Sequence, residues 1–210
     1  MSNNTTKTQV CNRALYLIKA ESALTDFDTD QTEAARICRS IFDDSVDYVL
    51  EQHPWNHAMV RVQLSQDSTA PVYYYDYRFQ LPSSPYCLKV QEVVDSEGFE
   101  VDEYEIIGRF IECNSDDIYI KYIGRVTDLT KWSAGFREAL AYYLASQLAG
   151  PLLRSSEVRD ENIKAFRYVL DHAETADSQQ GTPRKETDND YSWISRRFSS
   201  GYRADKNYSS

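Results

Sequence analysis

Asp26, Asp28 and Asp30 stand at alternate positions in DFDTDQTE, the spacing of the first three ligands of a calcium loop. A calcium loop starting at Asp26 would carry Gly at position 31 and a chelating Glu at 37, and this sequence has Gln31 and Ile37. The better reading is a helix start, with Asp30 as the cap and Glu33 in the first turn. Asp43 with Asp47, or Glu103 with Glu105, could supply the acid and the nucleophile of a glycosidase, but a charged solvent face accounts for both pairs. His53, His57 and His172 have no triad companions, and GxSxG, Walker A, GxGxxG and HExxH are absent. Cys11, Cys38, Cys87 and Cys113 are scattered without a CxxC pair, so they read as buried thiols and not as zinc ligands. No catalytic residue, metal or cofactor is expected.

The elements that position these residues are legible from periodicity. Ala34, Ile37, Cys38, Ile41, Phe42, Ser45, Val49 and His53 recur at three- and four-residue steps, leaving Arg36, Asp43, Asp47 and Glu51 outside. Pro54 must end this helix near Gln52 or His53. Trp55 then sits at a corner, because from Met59 the period switches to two, with Val60, Val62 and Leu64 on one face. Pro54 and Trp55 are therefore the expected structural joint. Before the corner, Thr6 and Gln9 form a candidate capping box for a helix carrying Val10, Ala14, Leu17 and Ile18. After it, alternation over Tyr73–Leu81, Cys87–Val94, a hairpin around Gly108 and Arg109, and Ile118–Ile123 predict sequential antiparallel strands. Helical period returns at Ser133 with Phe136, Ala139, Leu140, Tyr143, Leu144, Gln147 and Leu148, and again from a Ser156 cap to about Ala176.

The expected fold class is α+β: a helical bundle body over 6–58 and 131–177, an antiparallel β-sheet insertion over 59–130, and a C-terminal tail over 178–210 that stays disordered until bound. The chain has 210 residues, 41% of them hydrophobic, and a net charge of −10. Residues 180–210 hold six basic against four acidic side chains, +2, so the rest carries −12 of the total. Such a body repels nucleic acid, which argues against an RNA-binding sheet built on the aromatic strand. Residues 1–20 lack a basic-then-apolar leader and no stretch approaches the ~20 apolar residues that span a bilayer, so the expectation is synthesis and retention in a reducing cytoplasm, without a membrane. In the tail, Trp193, Ile194, Phe198 and Tyr202 would share one helical face, with Arg196, Arg197 and Arg203 flanking it, a pattern suited to ordering on a partner.

NRALYLI, VLEQHPWNHAMVRVQL, YDYRFQLPSSPYCLKV, YEIIGRFIECN with IYIKYIGRVTD, and FREALAYYLASQLAGPL, in this order over residues 8–176, together resemble the head-to-tail adaptor family of short-tailed bacteriophages, also called tail tubular protein A. The resemblance implies a non-enzymatic virion protein, assembled in the host cytoplasm, in which twelve copies form a ring beneath the portal. That ring would retain DNA, which passes through without specific binding, and carry the tail nozzle and fibre proteins. It also implies a C-terminal extension reaching the portal, for which Trp193, Ile194, Arg196, Arg197, Phe198 and Tyr202 are the candidate contacts. The competing reading from another class is a virion-associated muralytic enzyme working through its carboxylates.

Overall fold

The computed structural model describes residues 3–21 and 23–178. The fold is α+β, with four helices and two small antiparallel sheets. Helices α1 (Asn3–Leu17), α2 (Glu33–Gln52), α3 (Ala134–Leu148) and α4 (Ser156–Ser178) form the body, and strands β1 (Met59–Gln63), β2 (Tyr77–Gln80), β3 (Cys87–Asp95), β4 (Tyr104–Ile107), β5 (Phe110–Cys113) and β6 (Ile118–Gly124) lie between α2 and α3 in sequence.

The α3 helix is the centre of the body and packs against α1, α2 and α4. Its sequence explains this placement: Phe136, Ala139, Leu140, Ala141, Leu144, Ala145 and Leu148 are all completely buried, an apolar surface wide enough to meet helices on several sides. Gly135 permits a close crossing, since a Cβ there would stand 2.9 Å from the Ala173 Cβ on α4. Ser133 caps α3, its hydroxyl accepting from the Phe136 N–H at 3.2 Å. The α2 stripe buries Ala34, Cys38, Phe42, Ser45 and Val49, as its spacing predicts, together with Ala35, Val46 and Leu50, which widen it.

Three helix starts differ from expectation. The cap of α2 is Thr32, which accepts from the Ala35 N–H at 3.3 Å, and not Asp30. The Asp30 carboxylate instead accepts from the Thr32 N–H at 2.8 Å and the Thr25 N–H at 3.0 Å, closing the turn that precedes the helix. Helix α1 begins at Asn3, so Thr6 lies inside it and not at its start. It ends where the Ala20 N–H reaches the Leu15 carbonyl and the Lys19 N–H the Tyr16 carbonyl, both at 3.0 Å, with Lys19 left-handed at φ 57°. At α4 it is Ser155 whose hydroxyl accepts, from the Val158 N–H at 3.3 Å, in place of Ser156.

The β region departs further from a simple run of strands. It makes two three-stranded sheets, ordered β1-β6-β3 and β2-β5-β4. The last strand, β6, pairs with both the first and the third, so neighbours in the sheet are not neighbours in sequence. Leu64, Phe79, Leu81, Cys87, Val93, Ile111, Cys113, Ile118, Ile120 and Tyr122, drawn from both sheets, form one shared core between them. The predicted strand from Tyr73 shortens to Tyr77–Gln80. Tyr74 sits at φ +75°, and that left-handed residue breaks the extended run its alternation suggested. Phe79 and Leu81 still point inward as the period requires.

Candidate functional site

The corner after α2 is built as its residues demand. Pro54 follows His53, whose backbone is extended, and the chain leaves α2 there. The Trp55 ring is wholly buried and its indole N–H donates to the Val49 carbonyl at 3.0 Å. His53 and Phe136 stand edge-on to that ring at 5.0 and 5.2 Å, so one side chain ties the end of α2 to α3 at the entrance to β1.

Beside this corner lies a surface cleft of about 360 Å³, walled by α1, α2 and the connection from β6 to α3. Four of its charged residues stand in two pairs. Arg125 reaches across to Asp47, donating to Oδ1 at 2.8 Å and to Oδ2 through its second nitrogen, while its guanidinium lies 5.0 Å over the Tyr86 ring. Lys7 stands 3.9 Å from Asp43 and lies over the Phe27 and Phe42 rings at 5.0 and 5.2 Å. At the cleft's floor Trp132 stacks on Phe42 and meets Phe136 edge-on, and its buried indole N–H finds no acceptor among the described residues.

These contacts define what the acidic residues do. Asp47 is an ion-pair partner, which leaves the Asp43–Asp47 pair without a free nucleophile beside a free acid. The Asp26 carboxylate accepts from the Asp28 and Thr29 N–H groups, and Asp30 is held down to about 2 by the backbone N–H of Thr32 and then that of Thr25. All this is backbone capping, and no cluster of three potential metal ligands occurs among the described residues. Glu103 and Glu105 are exposed, the latter on β4. The four cysteines are buried free thiols; Cys11 and Cys38 share a hydrogen bond between α1 and α2 that pushes the Cys11 thiol up and holds Cys38 down.

A comparison with protein-family models finds no match, and no curated protein matches the chain.

The most conspicuous exposed apolar group is the turn before β2, where Val72, Tyr73 and Tyr74 are 93%, 80% and 74% exposed. The Tyr73 and Tyr74 rings pack 5.7 Å apart and Tyr74 meets Tyr75 at 5.5 Å, so the aromatics support one another above the sheet. Sequence reasoning from alternation placed Tyr73 and Tyr75 on the buried face of a strand and Tyr74 on its other face. The cluster PVYYY preceded by SQDST, with Pro71 at its head, was the available signal for a projecting turn. It also missed Lys7, Arg125 and Trp132. The tail residues Trp193, Ile194, Arg196, Arg197, Phe198 and Tyr202 lie outside the described residues.

Proposed function

We propose that this chain is a structural head-to-tail adaptor of a short-tailed phage virion, a ring-forming protein that docks beneath the portal, retains DNA and offers the tail its attachment platform. The observation that carries the reading is where the residues of the family resemblance fall. PWN is the joint between α2 and β1, with Trp55 buried and Pro54 and Asn56 exposed, FREALAYYLASQL lies in the central helix α3, and RFQLPSSPYCLKV runs from β2 into β3, where Arg109 donates to the Cys87 carbonyl at 2.8 Å and the Pro82 carbonyl at 2.5 Å. The quoted segments thus supply most of the elements of the fold, including its central helix and its corner, while YEII forms the exposed strand β4. Two further features support it. The residues before 180 carry −12, which suits a wall past which DNA slides without adhering. Of the carboxylates that might have served a muralytic enzyme, Asp43 and Asp47 face Lys7 and Arg125 in ion pairs, and Glu103 and Glu105 are exposed, the latter on β4.

Portal attachment is assigned to Trp193, Ile194, Arg196, Arg197, Phe198 and Tyr202. Truncation after Gly181 is expected to leave the melting temperature of the body nearly unchanged and to abolish co-sedimentation with purified portal rings, and Trp193→Ala with Phe198→Ala to do nearly the same. Attachment of the truncated chain at wild-type affinity would move the anchor onto the helical body.

A further inference from the structure

The two sheets have four edge strands, and they are not protected equally. The outer side of β2 is covered: Gln66 bridges to Phe79 and the Asp67 N–H donates to the Arg78 carbonyl at 2.7 Å. Strand β3 carries two register shifts in its pairing with β6, and its outer side is covered near its end, where Glu100 bridges to Val94 and the Val101 N–H donates to the Val93 carbonyl. Strands β1 and β4 have no such cover among the described residues. Each pairs on one side only, β1 with β6 and β4 with β5.

These two bare edges lie at opposite ends of the β module. The chain leaving β1 passes to Gln66 beside β2, whereas Ile106 on β4 shares a cleft with Lys89 and Val90 on β3. They also differ in charge. On β4, Glu105 stands directly across from Glu112, whose carboxylate is already taken by Arg78 at 2.5 and 2.8 Å. Asp102, Glu103 and Glu105 are exposed and have no ion-pair partner among the described residues. On β1, exposed Arg61 is likewise unpaired and lies across from Lys121, so like charges face each other there too, with the opposite sign. Both edges expose apolar side chains, Ile106 and Ile107 on β4 and Val62 on β1.

We propose that β1 of one copy adds to β4 of the next, extending one sheet across the contact and setting Arg61 against the Glu105 cluster. Two different patches of the same chain meet, so the contact is heterologous: it propagates from copy to copy and closes a ring when the rotation allows. Only that closure rests on the adaptor reading; the contact itself rests on the two edges.

The test traps the contact in the full chain at high protein concentration under oxidising conditions. Two double variants, Val62→Cys with Ile106→Cys and Gln63→Cys with Ile107→Cys, sample both faces of the paired strands. At least one is expected to give a reducible ladder of dimers, trimers and longer species, while each single-cysteine variant stays monomeric. Adding Arg61→Glu or Glu105→Arg should lower the ladder about tenfold, because like charges then meet, and combining both reversals in one chain should restore it. The same reversals without the cysteines, followed by sedimentation velocity with circular dichroism to confirm folding, give an independent readout. Folded variants with no ladder, a ladder indifferent to the reversals, or equal dimerisation of the single Ile106→Cys chain would each overturn the proposal. A charge-dependent ladder from a chain that never binds portal rings would sink the adaptor reading and leave the edge contact standing.

Discussion

The helical body and the β module use their apolar residues in opposite ways. In the body, small and large side chains alternate along α3, and Trp55, Trp132, Phe42 and Phe136 fill the space between helices, so burial runs almost without a break from α1 to α4. In the β module ten side chains form the core, while Val72, Tyr73, Tyr74, Phe99, Ile106 and Ile107 remain at the surface. The first arrangement buries most of its apolar side chains within one chain, with Tyr16 and Tyr168 left at its surface. The second leaves two bare strand edges and an aromatic turn, which are useful to a protein only when something covers them. The body holds the larger continuous core, and the β module carries the bare strand edges.

The joint between the halves gives the largest expected effect. Trp55→Ala removes a fully buried ring and the donor to Val49, and should lower stability by about 3–5 kcal/mol in chemical denaturation. An unchanged midpoint would mean that the two regions do not depend on this corner. Within the β module the corresponding weak point is polar. Arg78→Met strands Glu112, which is 3% exposed, and should cost about 3 kcal/mol, whereas Arg78→Met with Glu112→Leu should recover most of the loss. If the single and double variants melt together, the ion pair is not what closes this core.

A smaller effect is a gain in the helical body. Lys19 ends α1 in the left-handed region, where a side chain costs about 1 kcal/mol, so Lys19→Gly should stabilise by roughly that amount in the same denaturation experiment. A loss on substitution would show that the α1 end is held by the side chain instead. The smallest effect is confined to acid. Asp30 is held at about 2, below the ordinary 3.8, so its contribution is complete above the ordinary value and disappears as pH falls towards 2. Melting curves of wild type and Asp30→Asn should therefore differ by a constant amount near neutrality and converge between pH 3.8 and 2. Curves that stay apart at the acid end would place the group elsewhere.

The same contrast governs what the sequence reveals. Helical stripes in α2 and α3 are read directly, because burial on one face repeats every three or four residues and each helix carries its own pattern. Strand pairing does not show in this way: alternation identifies Phe79 and Leu81 as inward, but nothing local says that β6 pairs with β1 and β3, nor that Tyr74 turns left-handed. Helix caps are ambiguous for a related reason, since Asp30 and Thr32 both have cap chemistry and only the path of the preceding turn decides between them. The Arg125–Asp47 pair is invisible for a third: the partners stand 78 positions apart and no spacing rule joins them.

The central claim is that the chain is built to assemble on a partner. A mass measurement of the purified protein, alone and mixed with the portal protein that the proposed function assigns to it, tests this most directly. The net charge of the body opposes self-association, so the free protein at micromolar concentration and moderate salt should be mainly a monomer of 24.3 kDa, and the mixture should add a ring of copies to each portal. A stable closed ring of the isolated protein, or a mixture in which the two never associate, would contradict the account.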